Sequence, residues 1–319
     1  MRSSYVGPAG VWTLPMEPDR AYGLLREDHV ERRSARERSV TSGMRGCRPW
    51  IVVSLVLWAV LAVAFIFLDE AISEALIDQR SGWAGALELY GQVPGGLVGV
   101  IGGAVLYRLP RGSTGGRAPL SNIGIFILLT YYSFGVAADL TGVQARGDEA
   151  DQVLVIALTV ASMAAAVLLP AAVPRGRLER FRPAAQVAFV LPVVAAVVAV
   201  WAIKIPWGRW TPRDIIEAGD PTLFTPWFLP QGPNGHFAFI SGHTAYAFAV
   251  LPLAYFFSRT RRMFDVALVL ALAWGLLGAL SRVVIGAHSP SDTLFAAGFT
   301  ITWVVILSRR FGADRLVPE

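Results

Sequence analysis

Eight apolar runs recur along this chain, at about residues 51–68, 91–107, 120–138, 153–173, 184–203, 239–257, 264–284 and 291–308. Most approach the ~20 residues that a helix needs to cross a bilayer, far more apolar length than a soluble core helix requires. Hydrophobic residues are 54% of the 319 and charged residues only 16%, which excludes an ordinary soluble domain. The expected fold class is all-α, a polytopic helical membrane protein.

Charge between the runs fixes an expected orientation, because arginine in short loops favours the cytoplasmic side while acids matter little. With a cytoplasmic amino terminus, that side receives Arg108, Arg111 and Arg117, then Arg175, Arg177, Arg180 and Arg182, then Arg259, Arg261 and Arg262, and finally Arg309, Arg310 and Arg315. The other side receives Asp69, Glu70, Glu74, Asp78 and Glu88, then Asp139, Asp148, Glu149 and Asp151. Both termini are therefore expected in the cytoplasm. The net charge of +5 is spread over these loops, a pattern of topology and not of nucleic-acid binding. Residues 1–50, with nine arginines and little periodicity, are expected to be a disordered cytoplasmic tail without a cleavage site. One cysteine, Cys47, rules out an intramolecular disulfide framework, and beside the first run it reads as an ordinary residue before a lipidated one. A preference for arginine over lysine fits a GC-rich bacterial genome and hence a plasma membrane.

Three stretches fall on the outer face. Lys204 is the chain's one lysine, at the end of the fifth run, and Arg209 and Arg213 follow it. A lysine there snorkels to the interface by default, but an ammonium beside two planar guanidinium forks also suits a phosphate. Ser241-Gly242-His243 opens the sixth run, where a hydroxyl and free N–H groups at a helix start serve equally as an N-cap or an anion site. Ser281-Arg282 closes the seventh run, and His288 and Asp292 bracket the start of the eighth. Ser289-Pro290-Ser291-Asp292 also describes a helix cap, yet the same helix start sets Asp292 beside His288, where a carboxylate orients one ring nitrogen and frees the other to attack. Only four histidines occur, His29, His236, His243 and His288, so two in such settings carry weight.

These residues resemble the three ordered motifs of the type 2 phosphatidic acid phosphatase (PAP2) superfamily, K-x6-R-P, P-S-G-H and S-R-x5-H-x3-D. They correspond to Lys204…Thr211-Pro212, Ser241-Gly242-His243 and Ser281-Arg282…His288…Asp292. The third motif is complete; Thr211 stands where the first expects arginine, and Ile240 where the second expects proline. The resemblance implies a six-helix PAP2-type core over 120–308, preceded by two additional membrane helices in 51–119 and followed by a short cytoplasmic tail, 309–319. It implies metal-independent hydrolysis of a phosphate ester with no cofactor: His288 attacks phosphorus to form a phosphohistidine, Asp292 orients the ring, and His243 protonates the leaving oxygen and then activates water. Lys204, Arg209, Arg282, Ser241 and the Gly242 N–H would hold the phosphate oxygens, with Arg213 a candidate for the missing arginine.

A phosphate site at the outer membrane boundary favours an amphiphile such as phosphatidic acid, phosphatidylglycerol phosphate or a polyprenyl diphosphate. The bilayer is the expected surrounding and nucleic acid is not an expected partner; oligomeric state is not legible. The aromatic stretch 205–239, with Trp207, Trp210, Phe224, Trp227, Phe228 and Phe237, is expected either to fold over the entrance or to anchor in the headgroup region. Three alternatives remain: a phosphotransferase of the same fold, a catalytically silent phospholipid-binding protein, and a transporter, the last disfavoured by the scarcity of ionisable residues in the other runs.

Overall fold

A computed structural model describes residues 49–109, 118–141, 149–194 and 199–318. The expectations for the arginine-rich tail, Cys47, His29, Arg111, Arg117 and Asp148 lie outside them. Two compact units divide the chain, Met1–Leu57 and Trp58–Glu319. The second holds every candidate residue of the three motifs.

The described residues form helices joined by turns: α1 (Pro49–Leu76), α2 (Gly82–Tyr90), α3 (Val93–Arg108), α4 (Ala118–Thr141), α5 (Glu149–Leu168), α6 (Arg175–Arg180), α7 (Arg182–Leu191), α8 (Ala199–Trp207), α9 (Pro212–Ala218), α10 (Gly242–Phe248), α11 (Leu253–Phe256), α12 (Arg261–Val284) and α13 (Pro290–Phe311). Among the described residues, six stretches are long and apolar enough to cross a membrane: Val52–Leu76, Gly82–Arg108, Ile123–Thr141, Gln152–Ala172, Arg261–Val284 and Pro290–Phe311. The protein is thus a helical, multi-pass membrane protein, as its apolar runs require.

Three runs differ in detail from the sequence-based bounds. The first does not stop at 68: α1 continues to Leu76, because Asp69 and Ser73 are buried within the protein and need not mark a water-exposed loop. The second begins earlier, with α2 leading into α3. The sixth is not one helix, since the chain turns between α10 and α11, where Pro252 cannot supply a helical N–H.

Close packing positions the site. Helix α3 lies against α4 and α7, and its glycines permit the approach: a Cβ added at Gly102 would sit 2.7 Å from the Ala185 carbonyl oxygen. Helix α10 lies against α12 for the same reason, because a Cβ at Gly278 would meet the Ala247 methyl at 2.7 Å and one at Gly275 would meet the Phe248 ring. Small residues on α12 therefore bring the helix that carries His243 against the helix whose last turn carries Arg282. Helices α12 and α13 then run antiparallel through a turn at Gly286, whose φ of 70° suits glycine. Consequently Arg282 and Asp292 share one end, while Arg261 and Arg309 lie at the other, about 36 Å away along a 24-residue helix.

A cavity of about 580 Å³ is an apolar groove along the Arg262 half of α12, lined by Val250, Leu253, Phe257, Met263 and Leu270 among others. Its lining includes none of the motif residues, and Arg262 is its one charged side chain.

Candidate active site

The third motif is built on a helix start. Ser289 is the N-cap of α13, Pro290 takes the first position, and the Asp292 carboxylate accepts the Ser289 N–H through Oδ2 at 2.8 Å. The cap and the orienting role are compatible, because the same oxygen lies 3.6 Å from His288 Nδ1. That separation is just beyond hydrogen-bond range, so the contact is one of charge with ring. The residue's place in the turn is fixed by its backbone N–H, which donates to the Arg282 carbonyl at 3.2 Å. Burial pushes the His288 imidazole down to about 4, with Lys204 and Arg282 adding to the effect and Asp292 opposing it. At neutral pH the ring is uncharged and nucleophilic.

The second motif is tied to the third through the backbone, the Ser241 N–H donating to the Asp292 carbonyl at 3.1 Å. Ser241 caps α10: its Oγ accepts the Thr244 N–H at 3.3 Å and the Thr244 hydroxyl at 2.9 Å, leaving its own hydrogen free to donate. Gly242 and His243 follow in the first turn, and His243 interacts electrostatically with Arg282, His288 and Lys204. Both imidazoles and two of the cations therefore belong to one cluster.

Arg282 is 4% exposed, yet only its Nη2 is paired, with Glu88 Oε1 at 3.3 Å. Its buried Nε and Nη1 have no partner. A buried guanidinium with two idle donors is costly unless an anion completes it. Arg213 reaches the same Glu88 oxygen at 3.4 Å but is far more exposed. Lys204, at the end of α8, donates through Nζ to the Phe237 carbonyl.

Arg209 changes place relative to the sequence-based expectation. Its Nη1 donates to Asp292 Oδ1 at 2.6 Å and to Ser291 Oγ at 2.8 Å, and its Nη2 donates to Asp69 Oδ2 at 2.8 Å. Arg209 and Asp69 are each 1% exposed and Asp292 is fully buried. The guanidinium thus faces carboxylates behind His288 through both terminal nitrogens, while its buried Nε has no partner. The carboxylates compete successfully because they are already desolvated beside it, with no counter-charge of their own.

Two acids on the earlier helices join this site without having been singled out by sequence: Asp69 on α1 and Glu88 on α2. Asp69 had one available signal, its position within helical reach of an apolar run, where an ionisable residue needs a partner. Nothing in the local sequence distinguishes Glu88 from neighbouring loop acids.

The aromatic stretch is folded into the site's flank. Trp207 stacks on Phe239 with centroids 4.8 Å apart and donates to the Trp227 carbonyl at 2.6 Å, while Trp227 donates to the Ala62 carbonyl at 3.0 Å. Trp210 stacks on His236, which occupies that histidine away from the cluster, and Phe224 lies against the Arg209 guanidinium. Phe228 and Phe237 remain largely exposed.

Comparison with known proteins matches residues 183–315 to the family model of the PAP2 superfamily. Over this segment, less than half of its length, the chain is similar to the PAP2 superfamily. Searches of curated proteins and of solved structures returned no match. The matching segment contains every candidate motif residue from Lys204 to Asp292, and the similarity supports phosphatase-type activity on phosphate esters. Asp69 and Glu88 lie before the matching segment, so this site draws on chain outside it.

Proposed function

We propose that this protein hydrolyses a lipid phosphate or diphosphate ester at the extracytoplasmic boundary of the membrane through a phosphohistidine at His288. The observation that carries the proposal is the buried Arg282 guanidinium, with Nε and Nη1 unpartnered, in electrostatic contact with both His288 and His243. The phosphate would complete Arg282, with Lys204 and the Ser241 hydroxyl as further donors and Arg213 at the exposed rim.

His288 Nε2 attacks phosphorus while Nδ1 faces Asp292 Oδ2, so the positive charge that develops on the ring meets a carboxylate. The bond from phosphorus to the leaving oxygen breaks, and His243 gives that oxygen a proton. His243 then takes a proton from water, whose oxygen attacks the phosphohistidine; inorganic phosphate leaves and His288 returns to its neutral form. The positive side chains supply the stabilisation of the transferring phosphoryl group, and the proposal requires no metal.

An amphiphilic substrate follows from the surroundings. Apolar helices flank the site, and exposed Phe228, Leu229 and Phe237 line the adjoining stretch, so a lipid tail can stay in hydrocarbon while its phosphate enters. The orientation rests on the arginine distribution between helices, which puts both termini in the cytoplasm.

The test is phosphate release by the purified full chain from phosphatidic acid, phosphatidylglycerol phosphate and polyprenyl diphosphates in excess chelator. Release that continues in chelator and disappears in His288→Ala supports the proposal. Activity that chelator removes and magnesium restores overturns the metal-free mechanism, and phospholipid binding with no turnover in either form points to a silent binding protein.

A further inference from the structure

The charges behind His288 do not cancel. Asp69 and Asp292 are two buried carboxylates that share one guanidinium, Arg209, so the three residues leave one net negative charge. Asp69 is held there firmly: its Oδ1 accepts the Ser291 N–H at 2.8 Å and its Oδ2 accepts both Arg209 and the Ser291 hydroxyl. It comes from α1, outside the segment that matches the superfamily. Arg209, for its part, lies 2.6 Å from the Asp292 oxygen that His288 does not face.

An arginine that close would, by itself, offset the carboxylate on which His288 depends. Opposite charges at about 3 Å interact by several kcal/mol even at an effective dielectric near 20. Asp69 divides Arg209's charge and so leaves Asp292 electronegative toward the ring. We propose that Asp69 is a positioning residue of this active site, one that balances Arg209 so that Asp292 retains the negative charge with which it supports the developing positive charge on His288.

The other charged groups around the ring are Lys204, Arg282 and His243, all cationic or able to become so. None can replace the missing negative charge. Glu88 is already engaged by Arg213 and Arg282. Asp69 and Asp292 are therefore the only acids, among the described residues, assigned to the Arg209 side of the ring.

The inference rests on the proposed function, and its test separates the two. Asp69→Asn keeps the shape but leaves Arg209 wholly on Asp292; Asp69→Asn combined with Arg209→Met removes one charge of each sign and restores one net negative charge. For the purified full chain, Asp69→Asn is expected to lower kcat by about tenfold or more with KM changed by less than about threefold. The double variant is expected to recover most of that loss. A role confined to holding the structure together predicts the opposite, since the double variant lacks more buried hydrogen bonds than the single one.

A second readout does not depend on turnover. Orthovanadate, which bonds to a histidine nitrogen and places positive charge on the ring, should bind about tenfold more weakly to Asp69→Asn and regain its affinity in the double variant; inorganic phosphate, which makes no such bond, should change by less than about twofold. If the wild type binds vanadate in this pattern but releases no phosphate from any lipid, the proposed function fails and the charge balance stands. If Asp69→Asn keeps its kcat, or if the double variant is no more active than the single one or does not fold, the balance is overturned.

Discussion

Ser241 and Asp292 are joined backbone to backbone, the serine N–H donating to the aspartate carbonyl at 3.1 Å. This bond fastens the start of α10, which carries His243, to the start of α13, beside His288. Because it uses main-chain atoms, substitution of the side chains leaves it in place. The site's chemistry and its assembly can therefore be perturbed separately.

Replacement of the nucleophile and of its orienting acid should accordingly affect turnover far more than folding. His288→Ala is expected to abolish phosphate release. Asp292→Asn is expected to reduce kcat by about 10²–10⁴ while the protein remains folded, as loss of an orienting carboxylate does elsewhere. Steady-state phosphate release together with thermal unfolding of both variants checks this.

Arg209→Met should behave differently. It leaves Asp69 and Asp292 buried without their shared counter-charge, which costs about 3–5 kcal/mol. A pronounced fall in the unfolding midpoint is expected, in contrast to the small change for Arg213→Met, whose guanidinium is partly exposed and 3.4 Å from its partner.

The packing of α10 against α12 gives a third expectation. Gly278→Leu has no room beside Ala247, so α10 must shift, at a cost of about 1–3 kcal/mol. Because α10 carries Ser241 and His243, loss of activity should exceed what the remaining folded fraction explains. Activity per folded molecule, measured against the wild type, tests it.

Acid should destabilise the protein through His288. The folded imidazole is lowered to about 4 from 6.5, so the native state refuses a proton that the unfolded chain accepts. This contribution is intact above pH 6.5 and is lost progressively as pH falls to about 4, amounting to ~3 kcal/mol. Unfolding midpoints between pH 7 and pH 4 should show this slope in the wild type and a shallower one in His288→Asn.

Glu88 occupies Arg282 in the absence of substrate. Glu88→Gln removes a competing carboxylate 3.3 Å from Nη2 and should tighten binding of inorganic phosphate by about two- to fivefold. Equilibrium binding of phosphate to the two forms is the measurement.

Much of the site is local and so could be read from the chain. His288 and Asp292 are four residues apart across a helix start, and Ser289-Pro290 announces that start, so their adjacency follows from helix geometry. Six of the eight apolar runs give helices long enough to cross a membrane among the described residues, while the runs at 184–203 and 239–257 give shorter helices. The break between α10 and α11 was less visible, because residues 239–257 are continuously apolar and only Pro252 marks the turn. Arg209 was misplaced for a different reason: a guanidinium suits a phosphate and a carboxylate equally, and its partner Asp69 is 140 residues away.

Residue types and short spacings thus determined the helical membrane class, the three motifs and the imidazole with its carboxylate, since each depends on hydropathy or on a single turn of chain. Tertiary structure alone decided that Arg209 faces two acids, that Asp69 and Glu88 enter the site, and that Arg282 keeps two donors without a partner. Electrostatic partners in a buried site are chosen by distance and desolvation, and neither is encoded in the neighbouring residues of the sequence.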